Sequence, residues 1–459
     1  MSPEELPEDP ALPQLETARD PGRMLEVFRR HLRPLASRGC HIRDCWLSRF
    51  HYHRAERCVL QYSLRVVEPG TGCERSQWVT GTLYTHDRAE RIWRKLGAGD
   101  LGRGSPEGLL LFEAAAFIPE LRMLVQVFPH DRHLPSLPRL MAGPSPDVEP
   151  LLFAGFDAGG GRVDAWSIEP IQYRPGRAAV LRYRVQSRDL MISGAGTKCF
   201  YVKVYPDDGG ERTYQVLRAL WGRVDAGAAG FTVGRPIAYL SGLRALVQDE
   251  VLGTSLQQVL RHGGDALAAV RRVAQALAAF HLEEIPTPGH HRVEDEVAAL
   301  KGAGELLQWG CPRLRAQVEG IVAGVVAGLE EVPPRPTHRE LRTDHILFLD
   351  DGRLALIDLD SFARADPVLD PARVLAHLAG LSCRADLPDH GQWRLAARSF
   401  AKEYFLHVPG PWRSRLPLHY AGALLKEAVD FFRHQEPGWS GKVAALVEEA
   451  GHALSGEPP

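Results

Sequence analysis

The segment from Thr337 to Asp360 constrains the fold of this chain more than any other stretch. It opens with Thr337-His338-Arg339-Glu340-Leu341-Arg342-Thr343-Asp344-His345 and continues into an apolar triplet, Ile346-Leu347-Phe348. The triplet reads as a short buried strand, Asp350-Asp351-Gly352 as a hairpin turn, and Leu354-Ala355-Leu356-Ile357 as the returning strand. That hairpin carries Glu340 and His345 on its entry side and delivers Asp358 at its exit, with Asp360, Asp366 and Asp370 close behind. Ordinary acidic loops do not combine a tight apolar hairpin with carboxylates at both ends.

The segment resembles the catalytic loop and metal-binding segment of the aminoglycoside phosphotransferase and choline kinase group, the small-molecule branch of the protein-kinase-like fold. The resemblance extends over residues 150 to 435 and is most specific at 338 to 378. It implies an α+β, bilobal kinase-like fold and ATP- and magnesium-dependent transfer of a phosphoryl group to a hydroxyl of a sugar, aminoglycoside or amino alcohol. Such chemistry needs a carboxylate beside the attacking hydroxyl and metal ions on the phosphates, with little covalent work for the protein. The resemblance assigns Glu340 and His338 to the catalytic position, with Glu340 as the base. It assigns Asp358 and His345 to the metal, and Asp360 to a second ion or a structural bond. Two positions depart from the group's pattern: its catalytic Asp is Glu340 here, and its metal-binding Asn is His345. Manganese is therefore expected to serve at least as well as magnesium, because an imidazole is a softer ligand than a carbonyl oxygen.

The chain also repeats itself. Arg57-Cys58-Val59-Leu60-Gln61-Tyr62 recurs as Ala178-Ala179-Val180-Leu181-Arg182-Tyr183, and Tyr84 with Glu90-Arg91 recurs as Tyr205 with Glu211-Arg212, always 121 positions later. Leu121-Arg122-Met123-Leu124-Val125-Gln126 then matches Leu243-Arg244-Ala245-Leu246-Val247-Gln248 at a spacing of 122. One register held over so long a span is a duplication. The expected organisation is a disordered tail (1–25), a first N-lobe-like module (26–145), a second that serves as the kinase-like N-lobe (146–256), and a helical C-lobe (257–459). Leu134-Pro135-Ser136-Leu137-Pro138 reads as a linker closing the first module.

Within the second module, Phe200-Tyr201-Val202-Lys203-Val204-Tyr205 is an apolar strand interrupted by one lysine, which is costly to bury without an anionic partner. The resemblance makes Lys203 the residue that grips the nucleotide phosphates. The first module has Thr82 there and nothing to offer a phosphate. Tyr173 to Arg177 is a turn where a phosphate-covering loop would sit, and its single glycine, Gly176, suits a plain hairpin equally well. Glu211 is either the helix partner of Lys203 or a carboxylate complementing a helix start. Glu250 and Val251 lie in the expected hinge, where adenine would meet backbone groups, and Thr254 or Ser255 caps the next helix. His281 is expected behind the catalytic loop as a structural histidine, and Asp370 as the cap of the following helix.

Bulk properties exclude more than they assign. A formal net charge of −2 and a pI near 6.8 give no bias toward nucleic acid or anionic membranes. No apolar run approaches a membrane span, the acidic start lacks signal-peptide features, and a cytoplasmic location is the default. The seven cysteines show no paired spacing, and Cys40, His41, Cys45, His51, His53 and Cys58 match no structural zinc pattern, so core and surface roles account for them. Oligomeric state is not legible. Two other functions stay open: a nucleotide-binding scaffold that has lost turnover, favoured by the departures at 340 and 345, and a kinase of protein substrates, disfavoured by the short span from Asp358 to Asp370.

Overall fold

The computed structural model describes residues 6–35, 39–68, 72–100, 110–154, 165–186, 197–225, 231–262, 265–286, 289–384, 390–435 and 437–456. Two five-stranded antiparallel sheets dominate the N-terminal half. The first contains β1 (His41–His53), β2 (Arg57–Val67), β3 (Glu74–Tyr84), β4 (Ala115–Ile118) and β5 (Met123–Val127), in the order β1-β2-β3-β5-β4. The second contains β6 (Ala165–Arg174), β7 (Ala178–Gln186) and β8 (Thr197–Val204), then, after the three-residue β9 (Phe231–Val233) that pairs with the C-lobe, β10 (Pro236–Leu240) and β11 (Ala245–Asp249). Its order, β6-β7-β8-β11-β10, is the same path traced again. One helix follows the third strand in each copy, Arg88–Asp100 in the first and Gly209–Asp225 in the second.

The equivalence holds at the level of single residues. Along β2 the side chains of Cys58, Leu60, Tyr62 and Leu64 are buried, and along β7 so are Ala179, Leu181, Tyr183 and Val185, the period-2 burial of a sheet with one covered face. Thr82 sits between Val59 and Leu124, and Lys203 between Val180 and Leu246, so the two occupy one position in the two sheets. Arg122 and Arg244 both turn through the left-handed region before the last paired strand.

The expectation of a disordered tail over 1–25 does not hold for residues 6–25. Leu15–Arg19 and Pro21–His31 are helices, and Leu12, Leu15, Ala18 and Met24 are buried. The repeat begins earlier than residue 26. Asp9-Pro10-Ala11-Leu12-Pro13-Gln14-Leu15 has its counterpart in Asp131-Arg132-His133-Leu134-Pro135-Ser136-Leu137, a shared Asp-x-x-Leu-Pro-x-Leu pattern. In each copy the Asp carboxylate accepts from a backbone N–H two residues on, Ala11 or His133, and from the hydroxyl of Tyr52 (2.5 Å) or Tyr173 (3.0 Å). Tyr62 and Tyr183 donate to the carbonyls of Ala18 and Leu140 on the short helix that follows. The expected linker at Leu134–Pro138 is therefore the opening of the second copy, with Leu134 and Leu137 fully buried.

The C-terminal half is helical, with Ala266–Leu282, Val293–Gly310, Arg315–Gly328, Leu369–Ser382, His390–Leu406, Leu416–His434 and Trp439–Leu454. Ser255 opens the helix Leu256–Arg261 with a capping box closed by Gln258, as its hydroxyl allows. The apolar core of copy one is continuous with that of the C-lobe, whereas the second sheet keeps a core of its own. Tyr52 stacks on Trp309 at 3.9 Å and Phe50 meets Phe432 edge-on at 5.7 Å, which seats β1 on the C-lobe. No helix among the described residues is long and apolar enough to cross a membrane. The side chains of Cys40, Cys45 and Cys58 are buried, and the Cys40 thiol donates to the Leu111 carbonyl.

Asp131 ties three parts of copy two together, accepting from Tyr173, His133 N–H and, at 2.6 Å, Gly176 N–H. Asp131→Ala should lower the unfolding free energy by about 2–3 kcal/mol, since hydrogen bonds to a charged acceptor are lost and the buried Tyr173 hydroxyl is left with only its 3.4 Å contact to Thr80. Urea unfolding measures this, and a change below about 0.5 kcal/mol, the range of ordinary surface substitutions, would show the contacts to be incidental.

Candidate active site

The loop expected from the sequence to be catalytic is built around one fully buried carboxylate. Asp370 accepts from the backbone N–H groups of His338 and Arg339, both at 2.7 Å, and from His281 Nε2 at 3.0 Å. His281 is the structural histidine expected behind the loop; its Nδ1 takes the Tyr404 hydroxyl at 2.7 Å. Asp370 is not the cap of its helix, because it lies inside Leu369–Ser382 with Val368 at the capping position. Its oxygens are turned to the loop instead.

His338, expected beside the chemistry, is also a positioning residue. It is fully buried, and its Nε2 donates to the Ile357 carbonyl at 2.9 Å. That bond fixes the residue before Asp358, which stands in the left-handed region at φ 61°. A non-glycine residue there is uncommon and needs its surroundings to hold it. The hairpin expected between the two acidic ends is present, with Ile346–Phe348 paired to Leu354–Leu356 and Gly352 at φ 84° in the turn.

Lys203 reaches across the lobes from β8. Its Nζ lies 2.5 Å from Asp358 Oδ1 and 2.6 Å from Asp360 Oδ2. Asp360 also accepts from Tyr205 (2.9 Å) and Thr213 (3.3 Å). Burial alone would depress the ammonium of Lys203, but the two carboxylates outweigh it and hold its pKa above the ordinary lysine value. Burial would likewise raise Asp358, yet Lys203 and then His345 bring it well below the usual carboxylate range.

Glu211 is exposed and is not the partner of Lys203; the two aspartates take that place. Gly176 does occupy the turn of the β6–β7 hairpin at φ 68°, but its N–H is committed to Asp131 and so is not free for a phosphate. The side chain of Glu250 is held by Arg182 at 2.8 Å and its N–H by the Cys199 carbonyl at 3.2 Å, which leaves the Glu250 carbonyl and the backbone of Val251 for a ligand.

Glu340 is half exposed, with Oε2 3.8 Å from Arg373 Nε, and it borders the cavity between the lobes. His345 Nδ1 lies 3.0 Å from the Glu340 carbonyl. A carbonyl can only accept, so Nδ1 carries the proton and the Nε2 lone pair is free; it lies 3.9 Å from Asp358 Oδ2. Burial pushes His345 down to about 4, so the ring is neutral near pH 7. A neutral imidazole whose second nitrogen donates to a carbonyl is prepared as a metal ligand. Among the described residues no group of three or more His, Cys, Asp or Glu side chains is arranged to hold a metal alone. Magnesium does not require one, because it keeps several waters and binds through one or two carboxylates plus substrate phosphates. Asp358 and Asp360 would supply such carboxylates once Lys203 releases them, with the His345 nitrogen beside them as a softer donor.

The cavity itself, about 390 Å³, joins β1 of copy one, the β6–β7 turn, the catalytic loop and helix Leu416–His434. Motif reading missed much of its wall: Arg49 and His51 on β1, Arg373, and Asp430 and Arg433 on the last of these helices. Arg373 and His51 lay within stretches singled out in the sequence, but as parts of a helix and of a cysteine–histidine cluster given core and surface roles. The others stand far apart in the chain, with no spacing pattern to connect them.

Residues 181–404 match the phosphotransferase enzyme family. The matched segment spans Lys203, the catalytic loop, Asp358 and Asp370, the residues on which the resemblance read from the sequence rests. No curated protein matches the chain. Similar solved structures include the Plasmodium vivax ethanolamine kinase (11% identity, TM-score 0.41, covering 62% of this chain and 82% of that one). A choline/ethanolamine kinase family protein from Mesorhizobium loti is 15% identical (TM-score 0.42, 66% and 94%). The macrolide 2'-phosphotransferase of Brachybacterium faecium is also 15% identical (TM-score 0.38, 68% and 100%).

Burial, then the charges of Arg433 and Arg177, push His51 down to about 3, so the folded protein binds fewer protons there than the unfolded chain, whose histidine titrates near 6.5. That contribution to stability is complete above about pH 6.5 and is lost as pH falls toward the folded value. His51→Gln should therefore show a smaller loss of unfolding free energy between about pH 6.5 and 4.5 than the parent chain. Equal losses in urea titrations at the two pH values would mean that His51 charges freely in the folded state.

Proposed function

We propose that the chain transfers the γ-phosphoryl group of a nucleoside triphosphate, ATP in the first instance, to a hydroxyl of a small molecule, in the cytoplasm and with magnesium. The observation that carries this reading is the ion pairing of Lys203 with Asp358 and Asp360 at a cavity bordered by Glu340, inside the segment that matches the phosphotransferase family. A lysine held by two carboxylates leaves one negative charge over and is prepared to exchange partners: triphosphate oxygens for Lys203 and a divalent cation for the aspartates.

In the proposed reaction the acceptor oxygen bonds to the γ-phosphorus as the bond to the β,γ-bridging oxygen breaks, and the nucleoside diphosphate leaves. The acceptor proton passes to a Glu340 carboxylate oxygen. Lys203 steadies the nucleotide phosphates, and the hinge backbone at Glu250 and Val251 receives the base. Asp358, Asp360 and His345 would hold the divalent ion, which supplies neutralisation of phosphate charge. Arg373, fully buried with Glu427 and Asp430 at 3.2 Å, holds the Glu340 carboxylate near the cavity from a fixed position. Glu340 is one methylene longer than the group's Asp, and a misplacement of about 1 Å costs on the order of a hundredfold in rate. Slow turnover is expected.

A second reading, a nucleotide-binding protein without turnover, is favoured by the same pairing, because Lys203 occupies both carboxylates that the metal would need. Two measurements separate the readings. Lys203→Ala and Asp358→Ala should each weaken ATP–magnesium binding about tenfold or more in calorimetry, as loss of a charge-assisted contact implies, while Glu340→Ala leaves it within about twofold. Undiminished affinity in the first two variants would remove this nucleotide site. In single-turnover assays with hydroxyl acceptors, Glu340→Gln should abolish transfer, Glu340→Asp should preserve or raise it, and manganese should support it at least as well as magnesium. Binding without transfer to any hydroxyl acceptor, in either metal, would establish the second reading.

A further inference from the structure

The acceptor side of the cavity carries more positive charge than its own residues neutralise. Of the arginines lining it, Arg342 is paired with Asp344 at 3.0 Å and Arg373 with Glu427 and Asp430 at 3.2 Å. Asp358 and Asp360 are engaged by Lys203. Among the described residues, Arg49, Arg174, Arg177 and Arg433 are left with no carboxylate within ion-pair distance and no side-chain hydrogen bond. The Nε atoms of Arg174 and Arg433 are buried without an acceptor. A guanidinium removed from water with no counter-charge is costly. Arg49, Arg174 and Arg433 are partly buried and Arg177 is more exposed, and the four converge from β1, the β6–β7 hairpin and helix Leu416–His434.

The four do not face one target. Arg174 acts on Asp358, toward the transferred phosphoryl group. Arg433 is within electrostatic reach of Glu340, and Arg49 of Asp430, on the acceptor side. Arg177 and Arg433 also line the adjoining cavity of about 600 Å³ that opens past Glu340 and His51. Burial and mutual repulsion lower the pKa of Arg49, Arg177 and Arg433, and the same arginines keep His51 neutral. The local potential is strongly positive, although the whole chain carries a formal charge of −2.

We propose that Arg49, Arg177 and Arg433 form an anion-binding subsite, and that the acceptor is a hydroxyl compound bearing a phosphate or carboxylate group. The subsite stands on the unpaired arginines alone; its service to an acceptor rests on the phosphotransferase reading above. A guanidinium presents a planar fork that matches either oxyanion. An acceptor carrying only an ammonium group would meet like charge at the wall.

The test uses the full-length chain and two separate titrations. Inorganic phosphate, glycerol 3-phosphate and a hydroxy carboxylate such as glycerate are titrated by calorimetry without nucleotide, against choline as the cationic control. ATP–magnesium is titrated independently into the same proteins. The parent chain should bind at least one of the anions and not choline. Arg49→Gln and Arg433→Gln should each weaken anion binding about tenfold or more, Arg433→Lys should restore part of it, and nucleotide affinity should stay within about twofold. Unchanged melting temperatures in these variants exclude misfolding as the cause. Anion binding that survives both glutamine substitutions, no anion binding in the parent, or a nucleotide affinity that falls in parallel would overturn the subsite. Loss of the nucleotide reading with retention of arginine-dependent anion binding would separate the two proposals.

Discussion

The site depends on Asp370, a carboxylate with no exposure that takes two backbone N–H groups of the catalytic loop and a histidine ring. A buried charge is stable only when fully hydrogen-bonded, and breaking one partner leaves an expensive remainder. Because its oxygens hold His338 and Arg339 by their backbone, the loop has one conformation, with Arg339 in the left-handed region at φ 71°. His338 then passes that order to Ile357, and so to the backbone of Asp358. A chain of three short contacts thus converts a helix position into the placement of the carboxylate that meets Lys203.

The two sheets share one topology but meet different neighbours. In copy two Lys203 reaches from β8 to Asp358 and Asp360. In copy one the same position is Thr82, and the space beside it is lined by Asp131, Arg132, His133 and the Pro175–Arg177 turn of the second copy. The first sheet's cleft is thus used as a joint between the copies. Its outer strand, β1, lies instead against the C-lobe and contributes Arg49 and His51 to the cavity wall. Asp131 sits at the crossing, since the carboxylate that repeats the role of Asp9 also holds the β6–β7 turn.

The cavity divides electrostatically. Around Lys203, one positive charge meets two aspartates, and Arg174 near Asp358 offsets part of the excess negative charge. Past Glu340, the arginines outnumber the acids free to meet them. An uneven field across a single cavity orients a polar substrate as well as binding it, because the potential is focused by low-dielectric walls.

The sequence by itself determined the elements that local chemistry dictates. The hairpin from Ile346 to Leu356, with Gly352 in its turn, follows from an apolar triplet on each side of Asp-Asp-Gly. The Lys203 position followed from one charge in an apolar strand, and the paired sheets from a register held over many residues. The second Asp-x-x-Leu-Pro-x-Leu was also legible, but prolines near the terminus read as a tail and a linker until Leu12 and Leu134 were seen to be buried. Only the tertiary structure decided which acids Lys203 meets. Glu211 is eight residues away along the chain, while Asp358 and Asp360 come from the other lobe, and no local periodicity records a distance across a cleft. The same reason hid the arginines: Arg49, Arg177 and Arg433 belong to three elements far apart in sequence, and their shared field exists only once β1 is packed against the C-lobe.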